Sequence, residues 1–286
     1  MNKKTIKQEL KKMCRNAIYL DIDGKAESIV GGTRFGGVPD VPADFVWPTF
    51  EGVGLEDNAV KSRPLSFMAQ FNCGALATLD EEGLLPKTGL LSFFYEMDSQ
   101  CWGFDPKDAG CARVFWFEDI SPLSPAQVPE DLEEDYRFPA LNIDMDADAS
   151  HPGWEDFSLG RETNADDWDL FDEVVESMEI EEDGSKLLGW PAVIQNNMTF
   201  DCEFVSRGYY LGGPEGYAEI PAEERRRAEE TSTEDWRLLF QLDSLESEEA
   251  DFDLMFGDCG MLYFYIRKED LLARRFDRIW LVSQCC

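Results

Sequence analysis

Histidine and basic side chains are scarce in this chain. His151 is the single histidine among 286 residues, which excludes a site built on several imidazoles and leaves any His-dependent triad one candidate base. Lysine and arginine number 26 against 59 aspartates and glutamates, for a formal charge of −33. Nucleic acids and anionic membranes both repel such a polyanion. We therefore expect neither of them as a partner.

The sequence also has no long apolar run and no closely paired cysteines. No window approaches the run of about 18 apolar residues that a spanning helix needs, and the lysine-rich first twenty residues lack the apolar core of a secretory signal. These features predict a cytoplasmic protein. Its eight cysteines form no C-x-x-C pair, so we expect packed free thiols, no structural zinc and no cofactor.

What the chain does contain is enough material for one packed domain. Hydrophobic residues make up 43% and aromatics 13%, which excludes global disorder. Over residues 2–20, Ile6 and Leu10 begin a helical apolar period, which predicts an amphipathic helix docked on the body of the protein. Residues 31–64 are rich in glycine and proline, which predicts an ordered, turn-dense loop rather than strand or helix.

The strand candidates fall into two matching sets. The first set is Leu65–Asn72, Leu90–Tyr95 and Arg113–Glu118, and the second is Trp236–Asp243, Gly260–Arg267 and Asp277–Gln284. Gln70 precedes Gly89 by 19 residues, as Gln241 precedes Gly260. Further matches join Gly37-Val-Pro39 to Gly189-Trp-Pro191, and Arg113–Phe117 to Arg278–Val282. This shared order and spacing predicts an internal duplication.

The duplication leads to a specific fold prediction. We expect an α+β protein with mainly antiparallel sheets from two halves related by a pseudo-twofold axis, and with peripheral helices. A single domain would span 1–286, with half-repeats at 25–128 and 187–286 and an acidic insert at 129–186. The halves should pack together because neither sheet alone has a second layer to cover it.

The acidic charge is concentrated in one segment. Residues Glu130 to Asp183 carry 21 acidic and two basic side chains. Because this acidity is local, it is typical of an inserted feature rather than of a uniformly acidic surface. We expect an acidic amphipathic helix over about 165–180, loop or partly disordered chain over 130–160, and a short strand near Phe200–Val205.

Four carboxylates in the acidic segment are candidate calcium ligands. Asp144, Asp146 and Asp148 alternate along the chain, and Glu155 stands at the twelfth place of a calcium-loop register. The sixth place is Ala149, where such a loop needs a glycine turn. A segment this acidic also produces such a spacing by chance. Calcium binding and chance spacing therefore both stay open as interpretations.

Five other residues are candidate binding residues. Gln70, Gln195 and Gln241 interrupt apolar runs, where an amide either pairs with neighbouring backbone or reads a ligand. Trp47 either lines a cleft under the Gly-Pro loop or anchors that loop, and Asp258 either caps a tight turn or acts as a carboxylate in a site. We predict that these five side chains border a groove between the halves.

Several ordered motifs resemble a known family, the YwqG-like family, a bacterial domain of unknown function. The motifs are Gly36-Gly37-Val-Pro39, Trp47-Pro48, Leu65-Ser-Phe-Met-Ala-Gln70-Phe-Asn72, Leu85-Pro86, Gly89-Leu-Leu-Ser-Phe-Phe94, Leu188-Gly189-Trp-Pro191 and Gly257-Asp258-Cys-Gly260. They cover about residues 25 to 286, with Phe256 where the family usually has tryptophan. The resemblance implies a cytosolic, duplicated α+β protein and no established reaction.

The sequence leaves two classes of function open. The first is a non-enzymatic cytosolic binding protein whose acidic surface recognises a basic protein, as an immunity or inhibitor protein would. The alternative is a hydrolase that uses carboxylates near the Gly-Pro loop, with a divalent metal such as Ca²⁺. The sequence itself indicates no oligomeric state.

Overall fold

A computed structural model describes residues 1–27, 29–55, 58–180 and 184–286, and its first elements are a helix and a long strand. Helix α1 (Lys3–Met13) begins at Asn2, whose side chain accepts a hydrogen bond from the Thr5 amide. Strand β1 (Arg15–Lys25) follows directly. The predicted helix over 2–20 is therefore right in its first two thirds and wrong in the last. The missed signal is the alternation of buried Ile18, Leu20 and Ile22 with exposed or half-buried polar residues.

The remaining strands and helices lie in chain order along the described residues. The strands are β2 (Arg34–Phe35), β3 (Asp40–Val41), β4 (Thr49–Val53), β5 (Val60–Pro64), β6 (Ser66–Asn72), β7 (Leu90–Tyr95), β8 (Ala112–Phe117), β9 (Ser124–Pro125), β10 (Leu141–Ser150), β11 (Ser185–Leu188), β12 (Trp236–Asp243), β13 (Leu245–Ser247), β14 (Phe252–Leu254), β15 (Met261–Arg267) and β16 (Trp280–Gln284). The helices are α2 (Cys73–Leu76), α3 (Trp154–Ser158), α4 (Ala165–Met178), α5 (Met198–Val205), α6 (Pro214–Glu219), α7 (Ala222–Asp235) and α8 (Lys268–Leu272).

One antiparallel sheet of ten strands organises the molecule. Its order is β16-β15-β12-β11-β1-β10-β2-β6-β7-β8, so the long β1–β10 pair lies in the middle. The two arms of the sheet curl toward each other until Phe93 of one arm meets Phe240 of the other, with ring centroids 4.8 Å apart. The apolar side chains on the concave face thereby form the main core. The prediction of a mixed α and β protein with mainly antiparallel strands is confirmed.

The register of the last ladders corrects one sequence match. In the predicted alignment Phe94 corresponds to Tyr265. Phe94 pairs with Arg113 across β7–β8, and Tyr265 pairs with Trp280 across β15–β16. Arg113 therefore has the position in its ladder that Trp280 has in the other. The predicted match of Arg113 with Arg278 is wrong by two residues. Alternate residues of a strand share a face, so a slip of two keeps the apolar pattern and is invisible in the sequence.

Two segments predicted as loop contain strands. The Gly-Pro loop over 31–64 includes the hairpin β4–β5, which pairs Thr49 with Pro64. Within 130–160, strand β10 pairs with β1 along ten positions, so the prediction of a loop or partly disordered chain is wrong there. The many aspartates of β10 conceal the strand pattern because they all lie on its exposed face. Residues 181–183 of the acidic segment lie outside the described part of the chain.

The segment near Phe200 is a helix rather than the predicted strand. Asn197 caps α5 by accepting a hydrogen bond from the Phe200 amide at 2.9 Å. All eight residues of α5 are buried. Thr199, Asp201 and Glu203 alternate with apolar residues, a period of two that is typical of a strand, although the helix buries all three.

The predicted acidic helix forms and is packed. Asn164 and Asp167 cap the start of α4. The Asn164 side chain accepts from the Asp166 amide, and the Asp167 side chain accepts from the Asn164 amide, both at 3.0 Å. Its buried Phe171 and Val174 cluster with Ile6 and Leu10 of α1, which confirms that α1 docks on the protein. Throughout the described ranges, no helix combines the length and apolar character that crossing a bilayer requires.

Candidate functional site

Two of the predicted binding glutamines hold loops against the sheet. Gln70 on β6 is fully buried; its Oε1 accepts from the Asp40 amide at 3.0 Å, and its Nε2 donates to the Gly32 carbonyl at 2.8 Å. Gln241 on β12 is also fully buried, accepting from the Ala192 amide at 2.9 Å and donating to the Gly184 carbonyl at 2.6 Å. Both amides are occupied by backbone, which supports the structural interpretation.

A third buried glutamine does the same for the neighbouring loop and was missed from the sequence. Gln284 accepts from the Ile194 and Gln195 amides, both at 3.1 Å, and donates to the Asn196 carbonyl at 2.9 Å. The predicted Gln195 is exposed and donates to the Cys285 carbonyl at 2.7 Å. A polar residue at the end of an apolar strand was the available signal for Gln284.

Trp47 and Asp258 are not among the residues that these glutamines bind. Trp47 donates its indole N–H to the Leu65 carbonyl at 2.9 Å and packs edge-on against Phe94, which makes it an anchor of the Gly-Pro loop. Asp258 is exposed in the turn before β15, and its carbonyl accepts from the Cys286 amide. None of the five predicted residues lines any of five cavities with volumes of about 350 to 770 Å³ in the described part of the molecule.

The candidate calcium ligands are spread along a strand. Asp144, Asp146 and Asp148 follow one another on the exposed face of β10, and Glu155 belongs to α3. The Cα atoms of alternate strand residues lie about 6.6 Å apart. The oxygen ligands of one calcium ion must all lie about 2.3–2.6 Å from that ion. Among the described residues, no group of three or more His, Cys, Asp or Glu side chains could hold a metal ion.

These aspartates instead form part of an acidic surface on the central strands. Asp21 of β1 lies directly opposite Asp144 of β10, and Tyr19 lies opposite Asp146. We define the acidic face as Asp21, Asp144, Asp146 and Asp148, which are all exposed. Like charges directly opposite one another destabilise a sheet. Lys186 of β11 lies opposite Tyr19, with its Nζ 5.3 Å from the Tyr19 ring, so one cation of the sheet adjoins the face. We expect the directly opposed Asp21 and Asp144 to lower the stability of the fold.

Two concave regions adjoin the acidic face. A cavity of about 350 Å³ is lined by Tyr19, Asp21, Asp144 and Asp146. A second, of about 440 Å³, is lined by Tyr19 and Asp148 together with Glu179 from the end of α4. Tyr19 borders both cavities, and we call the two together the acidic groove. The sequence signal for this groove was the alternation of aspartate with apolar residues in both strands.

Helix α4 adds acidic charge and an exposed aromatic ring beyond the groove. Its exposed positions include Asp166, Asp169, Asp172 and Glu176. Trp168 lies among them with 49% of its surface exposed. Aromatic side chains are typical anchors at protein interfaces.

Comparison with known proteins identifies the family of this chain. No curated protein matches it significantly. Residues 33–285 match the family described as Domain of unknown function (DUF1963). That range includes nine of the ten strands of the central sheet, all but β1. The chain therefore belongs to the DUF1963 family of domains of unknown function.

Proposed function

We propose that this protein is a non-enzymatic binding protein that recognises a basic protein partner on its acidic face. The observation that carries the proposal is the pairing of Asp21 with Asp144 at directly opposed, exposed positions of the central ladder. A lysine or arginine from a partner would lie between these carboxylates and remove their mutual repulsion. The cost to the isolated fold would then be recovered on binding.

The shape and the aromatic residues support the same proposal. The groove around Tyr19 is long enough for an extended basic segment, because it joins cavities of about 350 and 440 Å³. Trp168 on α4 would provide a ring for a cationic side chain. An immunity-like or inhibitor-like role in the cytoplasm, in which this acidic surface covers the active surface of a cationic protein, is the concrete form that we propose.

The hydrolase alternative receives less support from the Gly-Pro loop. Asp40 is the carboxylate of that loop nearest the sheet and is 1% exposed. Its Oδ2 accepts from Arg34 at 3.0 Å, from Gln70 at 2.6 Å and from the Gly31 amide at 2.9 Å. A carboxylate oxygen that accepts from three donors holds the loop and is poorly placed to bind a metal ion.

We also propose that the sheet arose by internal duplication and that the family is the YwqG-like one. Matched hydrogen bonds support the duplication: the amides bound by Gln70 and Gln241 belong to Asp40 and Ala192, which are 152 positions apart. Their two carbonyl partners, of Gly32 and Gly184, have the same separation. The ordered Gly-Pro and Gly-Asp motifs of the sequence support the family name.

A charge-neutralising variant tests the binding site. We would measure the affinity of a fluorescent deca-arginine peptide for the protein and for the triple variant Asp21→Asn, Asp144→Asn, Asp146→Asn. The matched control removes three exposed charges elsewhere: Glu215→Gln, Glu219→Gln, Glu223→Gln on α6 and α7. We expect the first variant to bind at least about tenfold more weakly and the control to change the affinity less than about threefold.

Salt separates a specific groove from general attraction to a polyanion. Affinity should fall steeply between 50 and 500 mM NaCl for the unchanged protein, because the screening length shortens from about 14 Å to about 4 Å over this range. Equal losses of affinity in the two triple variants would show that the peptide responds only to net charge. That result would remove the proposed site.

A further inference from the structure

The largest of the cavities described adjoins the acidic face at Asp148 and brings basic side chains together with acidic ones. It has a volume of about 770 Å³ and is lined in part by Arg15, Arg237 and Lys268. This is within the range of about 300–1,000 Å³ that small-molecule sites occupy. In a chain with 26 basic residues and 59 acidic ones, a cavity that gathers basic side chains needs an explanation.

The two arginines are buried side by side. The side chains of Arg15 and Arg237 are 10% and 7% exposed. Both donate to the Thr233 carbonyl, at 2.5 and 2.7 Å. Burial, and then the charge of Arg237, lower the pKa of Arg15 to about 10. Two adjacent buried guanidinium groups are costly unless anions compensate them.

The compensation within the protein is incomplete. Glu234 lies 2.9 Å from Arg237 and 3.5 Å from Arg15, but its side chain is 69% exposed. Asp156 is a buried carboxyl that interacts electrostatically with Arg15. Burial raises the pKa of Asp156 to about 7, so it is only partly charged near neutral pH. The Nε of Arg237 is buried and has no hydrogen-bond partner. An unpaired donor of this kind is what an incoming anion would satisfy.

Carboxylates from other elements line the same cavity. Asp148 comes from β10, and Glu81 and Glu82 come from the turn after α2. Asn16 orients that turn. Its backbone N–H donates to the Glu82 carboxylate at 3.2 Å, and its side-chain oxygen accepts from the Glu81 backbone N–H at 2.9 Å. These charges would repel a polyanion such as a nucleotide. They suit a ligand that has a cation at a distance from its anion.

We propose that this cavity binds a zwitterionic ligand of the small-peptide class, with its carboxylate on Arg15 and Arg237 and its ammonium group near Glu81 and Glu82. Glu234 occupies the carboxylate position when no ligand is bound. Because Glu234 is mostly exposed and belongs to the last turn of α7, it can rotate into solvent when a ligand carboxylate takes its place. Asp148 lines both this cavity and the acidic groove, but the arginine site does not depend on the function proposed for the groove.

A variant of Glu234 tests the displacement directly. We would titrate alanyl-alanine into the protein by calorimetry and compare Glu234→Gln with Glu230→Gln, an exposed position one turn earlier on α7. Removal of the competing carboxylate should tighten binding about three- to tenfold in Glu234→Gln and leave Glu230→Gln like the unchanged protein. A gain of affinity cannot result from loss of folding, so the comparison of these two variants reports on the site itself.

Chemical variants of the probe test each end of the ligand. The C-terminal amide of alanyl-alanine should bind at least about tenfold more weakly, because it lacks the carboxylate for the arginines. The N-acetylated peptide should also bind more weakly, because it lacks the ammonium group. Equal binding of the acetylated form would indicate the C-terminus of a protein as the ligand and would overturn the zwitterionic proposal. No binding of the free dipeptide, or no gain in Glu234→Gln, would overturn it as well.

Discussion

At the scale of single residues, the buried polar side chains of this protein mostly hold backbone in place. The sequence shows that Gln70 and Gln241 interrupt apolar strands, and it leaves open whether their amides pair with backbone or read a ligand. It does not show which groups they bind, because the partners at Gly32 and Gly184 lie 38 and 57 positions away in the chain. Burial, which decides between a ligand-reading and a structural amide, is a property of the folded molecule.

Asp201 allows a prediction about pH. This α5 residue accepts from the Tyr217 hydroxyl at 2.9 Å through one carboxyl oxygen, and the other oxygen is buried without a hydrogen-bond partner. Burial raises the pKa of Asp201 to about 7, against the opposing effect of the Tyr217 hydrogen bond. The unfolded chain has the ordinary aspartate pKa of about 3.9.

The sign of the effect follows from proton binding. Between about pH 4 and 7 the folded state binds a proton at Asp201 that the unfolded state has released, so stability falls as pH rises, by at most about 1.4 kcal/mol per pH unit. The fall should level off above about pH 7. Urea unfolding at a series of pH values should show a smaller slope for Asp201→Asn, and superimposable slopes would contradict the assignment. Asp156, which has a similarly raised pKa of about 7, would supply the slope that remains.

At the scale of elements, periodic segments were predictable and segments with concealed patterns were not. The period of 3.6 residues in α4 and the bounded apolar runs of β6, β7 and β12 led to correct elements. Strand β1 follows α1 after a single residue, so the helical period of apolar residues runs directly into the alternating period of the strand. Strand β10 was read as acidic loop because aspartate is rare in strands and only its pairing with β1 makes it one.

The glycine after β11 gives a prediction at this scale. Gly189 has a φ of +72°, and a Cβ there would lie 2.6 Å from the Cβ of Ala17 on the adjacent strand β1. Gly83 has a similar φ of +66°, but nothing lies within 4 Å of its Cβ position. Gly83→Ala is therefore a matched control for the backbone strain alone, which costs about 1–2 kcal/mol.

Gly189→Ala should lose more stability than this control. The additional loss should be about 1–3 kcal/mol, because two packed strands must move apart to admit the methyl group. Chemical unfolding of both variants measures the difference. Equal losses would mean that the close contact between β1 and β11 at Ala17 relaxes without cost, and that φ alone explains the glycine.

At the scale of the whole molecule, repulsion among acidic side chains lowers the stability of the fold. The acidic face concentrates this repulsion on β1 and β10, in the middle of the sheet. The triple variant Asp21→Asn, Asp144→Asn, Asp146→Asn should therefore have a larger free energy of unfolding than the unchanged protein, by a few tenths to about 1 kcal/mol per relieved pair. It should also unfold at a higher temperature. The control variant on α6 and α7 should gain less, because its charges are not directly opposed across a ladder.

The combination of outcomes distinguishes a binding surface from an incidental one. A variant that is more stable and binds a basic peptide less well has lost a site that the fold maintains at a cost. Thermal melts in 50 mM and 500 mM NaCl extend the test, since screening should raise the melting temperature of the unchanged protein more than that of the triple variant. Unchanged or lower stability of the triple variant would contradict repulsion across β1–β10.

The sequence by itself determined the class of the protein, its packed acidic helix, most strands of the two arms and the order of its repeated motifs. These properties depend on neighbours in the chain, whose patterns are legible without a structure. Only the tertiary structure decided that β1 and β10 join the two arms, that Asp21 opposes Asp144, and that Arg15 lies beside Arg237. Each of these contacts unites residues more than a hundred positions apart, and local pattern contains no information about which distant strands pair.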